Sequence, residues 1–340
     1  MATAHLPVIT AMALAVPVAL LVDRWFGEPP VRLHPVVWMG NALALTGAWV
    51  QRHSRQTHGP DYKAFWLGTI AWCAQAAMVL VVSAWLQHGV EQALQAVELL
   101  QPWLAGLLGA LALGLLLKPL LALAMLQSEV HAVEVALGES LDAGRARLRW
   151  LVSRDVTQLT ATEVRESAIE TLAENLNDSV VAPIFWFVLL GLPGAALYRF
   201  ANTADAMWGY PGVYKGHNWA WAGKWAARAD DVLSWVPARI TAVLLLLVQG
   251  VRGAGLLARL SAEAGKTPSP NSGWPMAAMA LGLHVALRKP GVYVLNPQGR
   301  AALAEDTTLA LVYASKTALT LVACAQAAMF PIALWGTPWV

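Results

Sequence analysis

Charge is scarce in this chain. Lys, Arg, Asp and Glu make up 13% of its 340 residues, about half the share of a soluble domain, which excludes an ordinary water-facing surface. The net charge of +2 provides no basic excess for phosphate backbones, so nothing argues for nucleic acid as a partner. Only two cysteines are present, Cys73 and Cys324. Each sits in an apolar segment, where cysteine reads as a small core residue and not as half of a disulfide or a metal ligand. No GxxxxGK[ST] loop occurs, so any nucleotide site is of another kind. No Lys or Arg precedes Asp23, so the first apolar segment is expected to be a span and not the core of a cleaved leader.

What is present is hydrophobic. The chain is 57% apolar with 17 tryptophans and a mean hydropathy of +0.51, the composition of a polytopic membrane protein. A span needs roughly 20 apolar residues. Segments near 5–22, 64–87, 103–126 and 307–335 satisfy that clearly. Segments 179–198 and 238–258 are interrupted, and 274–287 is too short to cross. The expected fold is therefore an all-α polytopic membrane protein with about four clear spans and two to three re-entrant or interfacial helices. It forms a single integral membrane domain over 1–340, with 128–178 as a cytoplasmic amphipathic helical insertion. Lys and Arg favour the cytoplasmic side. The 23–63 loop carries Arg24, Arg32, Arg52, Arg55 and Lys63, the 88–102 loop carries none, and 127–178 carries Arg145, Arg147, Arg149, Arg154 and Arg165. Segment 199–237 is also basic, which places it on the same face if 179–198 and 238–258 are hairpins. The sites then face the cytoplasm of a bacterial inner membrane.

Polar clusters among these segments are costly, and so mark functional positions. Three helices are expected in 128–178: an acidic one near Glu129–Glu139, one around Arg145–Ser153 and one from about Thr162 to Asn177, with Thr160 or Thr162 as its cap and Glu163 in its first turn. Along the last, Glu166, Glu170, Glu174 and Asp178 recur every four residues. They share a face, repel one another and call for a cation. Glu170, Glu174 and Asp178 could hold Mg2+ with a nucleotide's phosphates; the alternative is a solvated acidic face. In DRWFGEPPVRLHPVVWMGN the prolines impose a rigid loop, and His34 reads as a phosphate contact, a base or a helix cap. NTADAMWGY crowds Asn202, Thr203 and Asp205 before an aromatic pair, as a ligand contact would. ADDVLSWVPAR sets Asp230 and Asp231 beside Arg228 and Arg239, either a site or an interfacial salt-bridge set. TPSPNSGWP forms rigid turns that present backbone amides to anions.

Five blocks, DRWFGEPPVRLHPVVWMG, AIETLAENLNDSVVAPIFW, ANTADAMWGY, AARADDVLSWVPARITA and TPSPNSGWPMAAMA, in this order and spacing, resemble the CobD/CbiB family of cobalamin biosynthesis across nearly the whole chain. The resemblance implies an integral membrane acid–amine ligase. Its reaction joins adenosylcobyric acid to (R)-1-amino-2-propanol phosphate, with ATP as co-substrate and Mg2+, giving adenosylcobinamide phosphate. Asp205, Asp230 and Asp231 would be catalytic. Arg24, His34, Asn175, Asn202, Thr203, Tyr210, Arg228, Ser269, Asn271, Ser272, Gly273 and Trp274 would bind substrates, and Glu170, Glu174 and Asp178 the metal. Implied partners are the two substrates, membrane lipid and other late cobalamin-pathway membrane enzymes. The chain departs from the family pattern where Met276 replaces an acid and Thr267 a histidine. A paralogue with changed substrate or no synthase activity, acting as a corrinoid transporter or membrane sensor, is the alternative reading.

Overall fold

The computed structural model describes residues 6–54 and 59–335; His5 and Arg55, both used above, lie outside them. The helices are α1 (Leu6–Phe26), α2 (Pro35–His53), α3 (Tyr62–Leu100), α4 (Pro102–Leu117), α5 (Leu123–Glu139), α6 (Leu141–Leu148), α7 (Ala161–Leu176), α8 (Ala182–Trp208), α9 (Lys224–Val248), α10 (Leu256–Ala264), α11 (Gly273–Leu283) and α12 (Ala304–Trp335). Two small antiparallel hairpins complete them, β1 (Val213–Tyr214) with β2 (His217–Asn218), and β3 (Leu287–Lys289) with β4 (Tyr293–Leu295).

Five helical stretches among the described residues are long and apolar enough to cross a membrane: Tyr62–Leu100, Pro102–Glu139, Ala161–Trp208, Lys224–Val248 and Ala304–Ala328. With α1, whose 21 residues reach about 31 Å, they make this an all-α polytopic membrane protein. The expected 88–102 loop is absent, because α3 runs as one helix of 39 residues and the first breaker it meets is Pro102. Segment 238–258 is not a hairpin of its own. Its first half ends α9, a helix of 25 residues, and its second half is a turn followed by the start of α10. The 274–287 stretch is the 11-residue α11, about 16 Å long and too short to cross.

The chain forms two compact units. The first comprises residues 1–121, 182–233 and 325–340, the second 122–181 and 234–324. In the first, α1 lies against α4 closely enough that a Cβ on Gly114 would strike Val18, the small-residue contact that draws membrane helices together. The expected reversal near 179–198 is local and sharp. Gly191 breaks α8 with φ 68° and ψ −157°, backbone that only glycine adopts readily. A Cβ on Gly194 would collide with the carbonyl of Trp186, a residue that a straight helix would hold about 12 Å away. Gln87 of α3 stabilises the break, since its Oε1 accepts from the backbone amide of Leu192 at 2.8 Å.

In the second unit α7 is buried along most of its length. Thr160 caps it with a reciprocal box, its hydroxyl accepting from the Glu163 amide and the Glu163 carboxylate accepting from the Thr160 amide at 2.8 Å. The three helices expected in 128–178 are thus the end of α5, α6 and α7. A widened π turn, Asn177–Val181, closes α7. Arg165 on α7 holds Glu134 of α5 with a two-pronged guanidinium contact at 2.8 and 2.7 Å.

Replacing Gly191 with alanine forces a side chain into the Gln87 carboxamide and a strained dihedral pair. Gly191→Ala should therefore cost about 1–3 kcal/mol, read as a lowered melting temperature in detergent. Gly89→Ala in α3, where nothing lies within 4 Å, should leave the melting temperature unchanged or raise it.

Candidate functional site

The acid stripe on α7 meets cations that the chain itself supplies. Glu166 is 0% exposed and accepts from the Arg288 guanidinium and, at 3.2 Å, from the Arg288 backbone amide. Glu170, 4% exposed, pairs with Arg154 at 3.2 Å, and the same guanidinium nitrogen donates to Ser167. The β3–β4 hairpin opposes Lys289 and Tyr293, and the Tyr293 hydroxyl lies near Glu170. Burial, reinforced by the charge of Glu170, pushes the Tyr293 hydroxyl up from its ordinary value, so it stays protonated. Carboxylates removed from water require such partners. Two of the four stripe acids are thereby committed to arginines. Glu174 and Asp178, the next two along the stripe, are half-buried, with Asp178 accepting from Asn177 at 2.8 Å. Among the described residues no three His, Cys, Asp or Glu side chains are grouped to hold a metal. Mg2+ that arrives with a nucleotide needs only one or two carboxylates, a number that Glu174 and Asp178 match. Asn175 donates back to the Thr171 carbonyl at 3.0 Å.

The SPNSG turn, also in the second unit, is organised by Arg239. Its guanidinium donates to Asn271 Oδ1 at 2.8 Å and to the Pro270 carbonyl at 3.2 Å. It lies between two indoles, with Trp235 at 4.3 Å and Trp274 at 4.7 Å, a fork-and-stack arrangement that lysine cannot reproduce. Arg239 is therefore a turn clamp, not the partner of Asp230 and Asp231 suggested by their proximity in sequence. The Asn271 and Ser272 amides, expected to face an anion, lie 3.2 and 3.3 Å from Ser269 Oγ. Gly273 opens α11 where a Cβ would meet the Ala264 carbonyl.

In the first unit the NTAD and ADD motifs meet. Asn202 of α8 reaches Asp230 of α9 at 3.4 Å and Arg199 at 3.5 Å. Thr203 returns its hydroxyl to the Arg199 carbonyl at 2.7 Å. Asp205 and Asp231 are half-buried on the same two helices. Tyr210 stacks on Tyr214 with ring centres 3.6 Å apart, and Arg228 is exposed. Arg24 is exposed near the end of α1, apart from the contacts made by its motif. His34 is the cap of α2, its Nδ1 accepting from Val36 at 3.3 Å, while Nε2 bonds Glu28 at 3.1 Å. Lys118 completes that cluster, its ammonium 2.8 Å from Glu28 and 3.2 Å from Asp23. A lone lysine in the apolar run LLLKPLLA was the available signal, since a charge there requires a partner.

Met276, the position where the family pattern led to an acid, is 2% exposed with its sulfur 3.8 Å from the Tyr293 hydroxyl.

These features define a class, an all-α polytopic membrane protein with buried acid–arginine pairs and a second cluster of acids and amides. Comparison with known proteins narrows it. The family model described as CobD/Cbib protein matches residues 16–322. The probable cobalamin biosynthesis protein CobD of Methanothermobacter thermautotrophicus is 40% identical, over 82% of this chain and 84% of that protein. The cobalamin biosynthesis protein CobD of Halalkalibacterium halodurans is 36% identical over 88% of both chains, and that of Dehalococcoides mccartyi 34% identical over 86% and 90%. No solved structure matches. The chain belongs to the CobD/CbiB family.

A carboxyl introduced at Met276 would be buried beside Tyr293 and near Glu170, so its folded-state pKa would lie above the unfolded value of about 4.3. The resulting penalty is absent below the unfolded pKa and grows as pH rises toward the folded one. Met276→Glu should therefore lower the melting temperature at pH 7.5, by the equivalent of about 2–3 kcal/mol, and much less at pH 5. Met276→Leu should be nearly neutral at both.

Proposed function

We propose that this protein is an adenosylcobinamide-phosphate synthase, an ATP- and Mg2+-dependent ligase joining the propionate carboxyl of adenosylcobyric acid to the amine of (R)-1-amino-2-propanol phosphate. The observation that carries the reading is the meeting of Asn202 with Asp230, which joins two of the five ordered motifs of a family whose model spans residues 16–322. Acids and amides gathered from separate helices suit proton transfer to and from polar substrates.

An unactivated carboxylate does not accept an amine. Its oxygen attacks the γ-phosphorus of ATP and ADP leaves, giving an acyl phosphate. The neutral amine then adds to the acyl carbon and phosphate leaves. The amine arrives as an ammonium, so one proton must be removed, and Asp205, Asp230 or Asp231 would take it. Within the second unit, Glu174 and Asp178 are the pair that would hold Mg2+, which neutralises charge on a phosphoryl group. Glu170 would act through Arg154 and Tyr293. In the second unit Arg239 would hold the SPNSG turn in shape for a phosphate, and in the first unit Arg24 and Arg228 would supply positive charge. The basic residues of 23–63 and 199–237 favour the cytoplasmic side, where ATP and the amine are found. Met276 is the observation behind a second reading, a paralogue whose pocket takes a different amine.

Purified protein should convert the two substrates to adenosylcobinamide phosphate only with ATP and Mg2+, as read by mass spectrometry. Asp205→Asn and Glu174→Gln should each lower turnover at least 100-fold while keeping the melting temperature within a few degrees. Product formation without ATP, or full activity in both variants, would contradict the proposal. Turnover with another amine alone would establish the paralogue.

A further inference from the structure

The first unit contains a cavity of about 960 Å3, bordered by α1, the proline loop, α2, α3, the end of α4 and the second half of α8. That is near the top of the roughly 300–1,000 Å3 range of small-molecule sites. Phe26, Trp38, Met39, Met78, Leu116 and Phe200 give it apolar walls. Four polar side chains also line it: Glu28, Gln75, Ser83 and Lys118.

The donors among these are already used. Lys118 donates to Glu28 and lies against Asp23. Gln75 Nε2 donates to Thr46 Oγ1 at 3.0 Å and the Ala71 carbonyl at 3.2 Å, and Ser83 Oγ donates to the Val79 carbonyl at 2.6 Å. What remains is acceptor capacity, because Glu28 Oε1 and Gln75 Oε1 are both buried without a hydrogen-bond partner. Buried acceptors left unpaired are unfavourable, so a matching ligand brings N–H or O–H donors. The acceptors are also spread out. Gln75 is on α3, and Glu28 is on the loop after α1. A lipid, with one polar end and an apolar tail, would leave part of this set unmet. A flat apolar macrocycle carrying primary carboxamides around its rim would meet all of it.

We propose that this cavity receives the corrin ring of the substrate, an inference that rests on the synthase reading above. The methyl-bearing faces of the ring contact the apolar walls, and its rim carboxamides donate to Glu28 and Gln75.

The test uses the full-length protein in detergent, without ATP or amine, and cyano-ligated cobyric acid as the probe. Equilibrium dialysis should show binding to the parent protein, weakened at least tenfold by Ala42→Trp, which fills the cavity, and about fivefold by Gln75→Leu. Met78→Cys, made after replacing the exposed Cys73 and Cys324 with alanine, should be protected from a maleimide by the probe. That labelling decides the matter if Ala42→Trp fails to fold. Unchanged affinity in the variants with no protection of Met78→Cys overturns the cavity assignment, while turnover by the parent protein keeps the synthase reading intact. Loss of co-purifying phospholipid from Ala42→Trp with undiminished corrinoid binding assigns the cavity to lipid and overturns the proposal. Failure of the parent protein both to bind the probe and to turn over removes the synthase reading, and the cavity assignment with it.

Discussion

Two carboxylates that water scarcely reaches, Glu166 and Glu170, set the terms for the second unit. An uncompensated buried charge costs several kcal/mol, so α7 can occupy a central position only if guanidinium groups meet it there. Arg288 comes from a hairpin 122 residues further along the chain, and Arg154 from the segment just before α7. Tyr293, kept protonated by burial and by the charge of Glu170, lies near that carboxylate. The β3–β4 hairpin is small, yet it delivers both Arg288 and Tyr293 to the same helix face. Its packing and the helix's charge balance are therefore a single requirement.

The first unit meets the same constraint with one lysine. Lys118 interrupts an apolar run and lies 3.2 Å from Asp23 and 2.8 Å from Glu28. Those contacts tie the end of α4 to the end of α1 and to the proline loop, and so shape one end of the cavity. Its far wall depends on the break at Gly191, where Gln87 supplies the hydrogen bond that the interrupted helix lacks. Lys118 and Gln87 thus each pair with groups on a neighbouring element.

Local signals in the sequence were reliable. The Thr160–Glu163 capping box, the helices of 128–178 and the short α11 follow from side chains within a few residues of one another. The reversal near 179–198 was foreshadowed by Gly191, Pro193 and Gly194. The four-step acid stripe was also visible, together with its need for a cation, but which cation was not. Arg288 pairs with Glu166 across a separation that periodicity does not encode. The partners of Arg239 are non-local in the same way: the nearest acids in sequence are Asp230 and Asp231, whereas its contacts are Asn271, Pro270 and two tryptophans. The loop assumed at 88–102 rested on ending a helix once it had crossed a bilayer's thickness, although nothing before Pro102 breaks it. Of the proposed site residues, Asn202 and Asp230 come together, and His34 has the capping role that is one of its three readings.

If the arginines of the chain neutralise the α7 acids, Glu166 and Arg288 must be thermodynamically coupled. A double-mutant cycle with Glu166→Gln, Arg288→Gln and the pair, followed by denaturant unfolding in detergent, measures this directly. Arg288→Gln alone should be strongly destabilising, because it strands Glu166, and the double variant should recover at least about 1 kcal/mol relative to the sum of the single changes. Additive effects within about 0.3 kcal/mol would show that the two side chains do not depend on each other and would contradict the account.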